Sequence, residues 1–119
     1  MSIIIKLLAT LVALEFLYIM YLETFATVSK KTSEVFGMSQ EELQRKSVNT
    51  LFKNQGIYNG LIAVLIILAA WVFVSKMAVM VLMGYIILVA LYGGMTSHPK
   101  IIIMQGGLAI LTLILSFIL

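Results

Sequence analysis

Four apolar runs, each long enough to cross the hydrocarbon core of a bilayer, leave little of this chain for anything else. A helical crossing takes about 20 mostly apolar residues. The runs lie at about 3–27 (IIIKLLATLVALEFLYIMYLETFAT), 57–75 (IYNGLIAVLIILAAWVFVS), 77–95 (MAVMVLMGYIILVALYGGM) and 101–119 (IIIMQGGLAILTLILSFIL). Backbone groups in lipid must satisfy one another, which helices do within a single segment. None of the runs alternates polar and apolar residues as barrel strands do. Composition agrees: 62% of the 119 residues are hydrophobic and 11% charged, where a soluble domain has about half and about a quarter. The expected fold is all-α, a polytopic membrane protein forming one domain over 1–119, a four-helix transmembrane bundle. The first run reads as a retained span. It is too long for a leader's apolar region and carries Glu15 and Glu23 without a small-x-small cleavage site.

Unequal links join the runs. Residues 28–56 separate the first two, Ser75-Lys76 marks a tight turn, and 96–100 (TSHPK) joins the last two. Four crossings put both termini on one side and the first and third links on the other. Lys30, Lys31, Arg45, Lys46, Lys53 and Lys100 fall on the link side, against Lys6 and Lys76 on the terminal side. The positive-inside rule then makes the links cytoplasmic and the termini external, in an inner or plasma membrane. Within the long link, Ser39 with Glu42 three residues later fits a capping box, and a short interfacial helix is expected from there to Phe52. The net charge of +3 suits an anionic inner leaflet. Membrane lipids are the expected partners. No Arg-rich stripe or nucleic-acid motif appears, so no nucleic acid is expected. With no cysteine, thiol chemistry and cysteine metal sites are excluded. Neither a metal nor another cofactor is expected.

Polar residues recur near the cytoplasmic ends of the runs. Glu23 lies late in the first, NQGIYNG (54–60) opens the second, Tyr92 and Thr96 close the third, and Gln105 comes early in the fourth. Alternating helix direction brings such positions to one depth. A carboxylate there is costly unless hydrated or paired, and Asn54, Asn59, Tyr58, Tyr92 and Gln105 offer donors, with Gln55 beside them. Gly56, Gly60, Gly93, Gly94 and Gly106 fall in the same layer and permit close helix approach or room for a ligand. Two readings stand: interhelical glue, or a cytoplasm-facing pocket centred on Glu23.

Glu15 lies mid-span. A carboxyl at that depth is a functional hypothesis by default, as a hydrogen-bond donor or proton carrier. It precedes Glu23 by eight residues, about 12 Å of helical rise, which suits successive proton positions better than paired-carboxylate catalysis. Trp71 reads as an interfacial anchor. His98-Pro99 reads as a link and helix start, with Pro99 in the first turn.

The segments YLETFATVSKKTSEVFGM, NQGIYNG and LYGGMTSHPKIIIMQGGLAI resemble the DUF1304 family of small bacterial integral membrane proteins. The resemblance covers nearly the whole chain. It implies four helices and marks Glu23, the 54–60 entry, Tyr92-Gly93 and Gln105-Gly106 as family features. Many relatives carry a histidine earlier in the first span, and this chain has none around Glu15. The resemblance supplies no reaction.

Three functions fit. The first is proton-coupled transport of a small molecule or ion, with a homodimer expected because four short helices enclose little space. The second is a membrane enzyme acting on a lipid-like substrate, with Glu23 as acid or base. The third is a non-catalytic binding or assembly subunit. The small-molecule ligand is not specified by the sequence.

Overall fold

In the computed structural model, which describes residues 1–96 and 100–119, the described chain is helical and contains no strand. Helix α1 (Ile3–Met20) passes into a π-helical turn, Tyr21–Phe25. Two short helices follow, α2 (Lys30–Phe36) and α3 (Gln40–Leu43). Helix α4 (Lys46–Ile67) passes into a second π-helical turn, Leu68–Val72; then come α5 (Lys76–Thr96) and α6 (Lys100–Ile118). Among the described residues, three helical runs are long and apolar enough to cross a membrane: Ile3–Phe25, Lys46–Val72 and Lys76–Thr96. The apolar part of α6, Ile102–Ile118, is shorter. The His98-Pro99 expectation lies outside the described residues.

The helix that holds the second apolar run starts at Lys46, not near residue 57, so NQGIYNG lies inside α4 and does not open it. The apolar run marks where a helix can meet lipid. It does not mark where the helix begins, because Lys, Asn and Gln are adequate helix formers outside hydrocarbon. The expected single interfacial helix is also corrected. Ser39 does cap, accepting from the Glu42 N–H at 3.0 Å. The Glu42 carboxylate, however, does not complete a capping box; it accepts from Arg45 Nη1 at 2.7 Å. Helix α3 ends at Leu43, and a new helix starts after Arg45. Upstream, α2 is capped by Ser29 and ends at Gly37, whose φ of 65° is the left-handed C-cap that glycine adopts without penalty.

The chain divides into two compact units, Met1–Glu15 with Ala63–Leu119, and Phe16–Ile62. In the first unit α5 and α6 pack along each other. Small buried residues set the spacing: a Cβ on Gly106 would stand 3.3 Å from that of Ala90, the close approach small residues permit in lipid. Trp71 Nε1 donates to Thr10 Oγ1 at 2.9 Å, and Lys6 Nζ lies 5.0 Å from the Trp71 ring centroid. The expected anchor is thus tied to α1 as well. Val74, in the tight turn, has a φ of 48°. In the second unit, Phe16, Ile19, Leu22 and Leu43 are buried, and Phe36 meets Phe52 edge to face at 5.2 Å. Much of the apolar surface stays outside in both units: Leu14, Leu61, Val81 and Leu88 are each at least half exposed. Lipid can cover such a surface and water would not, which is consistent with a membrane protein.

Candidate functional site

The π-helical turn is the local event from which the site follows. Ala26 N–H reaches back five residues to the Tyr21 carbonyl at 2.9 Å. The widened turn leaves nearby carbonyls without their usual amide partners, and buried carbonyls need partners. Threonines supply them. Thr27 Oγ1 donates to the Glu23 carbonyl at 2.7 Å. Thr32 Oγ1, fully buried, lies 2.7 Å from the Ala26 carbonyl and 3.1 Å from that of Leu22. Its single hydrogen serves those carbonyls, so the Ser29 hydroxyl, 2.9 Å away, donates to Thr32 Oγ1. Thr24 Oγ1 donates across to the Lys53 carbonyl of α4 at 2.9 Å.

Glu23 sits in this turn with none of its surface exposed. Its Oε1 accepts from Asn59 Nδ2 at 2.5 Å, while its Oε2 is buried and has no hydrogen-bond partner. Helix α4 supplies the opposing face as Gly56, Asn59 and Gly60, all buried, at the i, i+3, i+4 spacing of one helical face. The glycines are required by contact. A Cβ on Gly56 would overlap Thr24 Oγ1 and lie 3.1 Å from Glu23 Cβ, and one on Gly60 would overlap Met20 Sδ. Only with both small does α4 come close enough for an amide to reach Glu23.

The other polar residues of that stretch go elsewhere. Asn54, Gln55 and Tyr58 are on the exposed side of α4, with Tyr58 at 68% exposure. Glu15 belongs to the first unit, half-buried, with Oε1 buried and unpartnered. In that unit Tyr92 is exposed, while Gln105, Gly93 and Gly94 are half-buried; a Cβ on Gly94 would overlap Ile102. Among the described residues, Glu23 has Asn59 as its one side-chain partner. Sequence reasoning had no means of choosing Asn59 over Asn54, because both are amides one or two turns from the same glycines. Buried Gly56 and Gly60 make the choice, since Asn59 shares their face. The roles of Thr24 and Thr32 went unseen, because Thr24 meets a carbonyl of α4 that only packing brings near and Thr32 meets carbonyls at a π turn that no residue type announces.

Glu23 lines neither of two cavities on the chain. One, of about 720 Å³, is bordered by Arg45, Lys46, Ser47, Thr50 and Leu51. The other, of about 370 Å³, is apolar and bordered by residues such as Leu65, Phe73 and Val81. The Glu23 site is therefore an enclosed carboxyl group with one oxygen oriented by an amide and one oxygen able to hold a proton.

Residues 10–117 match the family described as Protein of unknown function (DUF1304). The chain belongs to the DUF1304 family. It is 62% identical over 118 residues to the uncharacterized protein YpaA of Lactococcus lactis subsp. lactis (strain IL1403), covering 98% of this chain and 99% of that one. No solved structure matches this DUF1304 chain.

Proposed function

We propose that this DUF1304 protein is a four-span protein of the bacterial inner or plasma membrane that carries protons through Glu23 during transport of a small molecule or ion. The observation that carries this reading is the enclosed Glu23 carboxyl, held on Oε1 by Asn59 and unpartnered on Oε2. A proton is the ligand that needs no pocket, and a group with no exposed surface suits it. A lipid headgroup touches no part of Glu23 as it stands, so acid–base work on lipid would require the π turn to open. That disfavours the enzyme reading. Glu15, with its own buried unpartnered oxygen, takes the same role in the first unit. The six basic residues in the links and two on the terminal side support external termini and cytoplasmic links. A homodimer supplies the enclosure that one copy's helices lack.

The test is infrared difference spectroscopy across a pH titration of the protein in lipid, paired with proton flux into proteoliposomes under a pH gradient. The carboxyl band should titrate in the native chain and lose one component in Glu23→Gln. Flux should fall to the protein-free level in that variant while it stays folded. Native flux in folded Glu23→Gln would reject the proton role.

A further inference from the structure

The cavity bordered by Arg45, Lys46, Ser47, Thr50 and Leu51 lies outside the Glu23 site and has its own chemistry. Helix α4 together with its π turn runs 27 residues from Lys46 to Val72. That is about 40 Å at 1.5 Å per residue, against a hydrocarbon core of about 30 Å. The surplus of about 10 Å belongs in a headgroup layer. Its polar end is the Lys46 end, where Lys46, Ser47, Asn49, Thr50 and Lys53 occur, whereas Val72 ends an apolar run.

The groups bordering the cavity are unspent. Among the described residues the one ion pair is Arg45 Nη1 with Glu42 Oε1, which leaves the other donors of the guanidinium fork open. Lys46 makes no ion pair, and neither the Ser47 nor the Thr50 hydroxyl makes a hydrogen bond, among those residues. Two cations and two hydroxyls border one open, mostly apolar space of about 720 Å³; they match a phosphate group in charge and donor number, and the apolar walls suit the rest of a lipid better than a bare anion. Leu51, 66% exposed, borders the same space, and the exposed face of α4 continues through Asn54, Gln55 and Tyr58 to Leu61. Polar amides followed by apolar side chains match the order of ester and acyl chain below a lipid phosphate. A free anion would make no use of that face.

We propose that this cavity binds the phosphate of an anionic glycerophospholipid, with Arg45 and Lys46 on the charge, Ser47 and Thr50 donating to phosphate oxygens, and the lipid's chains lying along the Leu51–Leu61 face. The proposal rests on α4 crossing the membrane and is independent of any proton on Glu23.

The experiment is native mass spectrometry of the full chain released from nanodiscs of phosphatidylglycerol mixed equally with phosphatidylcholine, alongside Arg45→Gln/Lys46→Gln and the control Lys30→Gln/Lys31→Gln. Recovery of each variant in the nanodisc fraction reports insertion separately from lipid choice. The native chain and the control should retain phosphatidylglycerol preferentially. The Arg45/Lys46 variant should lose that preference by about fivefold per charge, the factor equivalent to about 1 kcal/mol for each basic residue near an anionic surface. Thr50→Val should lower it without changing net charge. Equal retention of both lipids by the native chain would overturn the proposal, as would an equal loss in the control. Displacement of the retained lipid by inorganic phosphate would also overturn it, by reassigning the cavity to a free anion.

Discussion

Glu23 and Asn59 form the one buried hydrogen bond between side chains among the described residues of the second unit. Interhelical hydrogen bonds in membranes contribute about 0.6 kcal/mol on average. Leaving a buried polar group orphaned costs more, about 1–3 kcal/mol. Because Glu23 has no exposed surface to rehydrate, the larger figure governs. Asn59→Ala should therefore lower unfolding stability in detergent by about 2 kcal/mol. Glu23→Gln, which keeps an acceptor oxygen for Asn59, should cost less. A double-mutant cycle checks this: additive losses would mean the two side chains are not coupled. Glycines give a second contrast at this scale. Gly56→Ala forces a methyl into Thr24 and should cost about 1–3 kcal/mol through overpacking. Gly107→Ala meets nothing within 4 Å and should be neutral or stabilising by up to about 1 kcal/mol through helix propensity. Chemical denaturation of the two variants side by side decides it.

Two elements depart from regular helix, and each invites a test. The turn at Tyr21–Phe25 depends on Thr32, a buried hydroxyl from the following helix that serves the Leu22 and Ala26 carbonyls. Thr32→Val keeps the shape and removes the donor. Amide exchange at Ala26, whose N–H holds the turn closed, should speed up by about tenfold, equivalent to about 1.4 kcal/mol. Unchanged exchange there would show that the π turn stands without Thr32. At the other end of α4, Val74 occupies the left-handed region that costs an L-residue about 1–2 kcal/mol. Val74→Gly should recover part of that as a higher unfolding midpoint. The short helices α2 and α3 were only partly legible. Ser39 announces a cap, but nothing in SQEELQRK reveals that Glu42 prefers Arg45 to the Ser39 amide, or that α3 ends at Leu43.

At the scale of the whole molecule, the question is how many helices cross. Among the described residues three are long and apolar enough, and α6 has a shorter apolar stretch, Ile102–Ile118. Helices of about 17 residues stand at the lower limit for crossing. The native chain has no cysteine, so single introduced cysteines report sidedness without background. With four crossings, Ser2→Cys and Leu119→Cys should both react with an impermeant maleimide from outside the cell, and Gln44→Cys only after the membrane is opened. Labelling of Leu119→Cys from the cytoplasm alone would reduce the count to three. The basic residues bias this outcome, because the charged links resist transfer while the apolar termini do not.

What the sequence determined by itself is what lipid demands of any chain. Long apolar runs without alternation fix helices as the answer, and their lengths suit the thickness of a bilayer core. Glu23 was legible as a singular residue because a carboxylate beside hydrocarbon is costly whatever surrounds it. Its partner was not. NQGIYNG reads as seven neighbouring polar or small residues, but a helix separates neighbours by face, and only packing decides which face turns inward. Tertiary structure turned Gly56, Asn59 and Gly60 toward Glu23 and left Asn54, Gln55 and Tyr58 on the surface. The physical reason is steric: the face that can approach Met20 and Thr24 is the one that carries no side chain at two of its three positions.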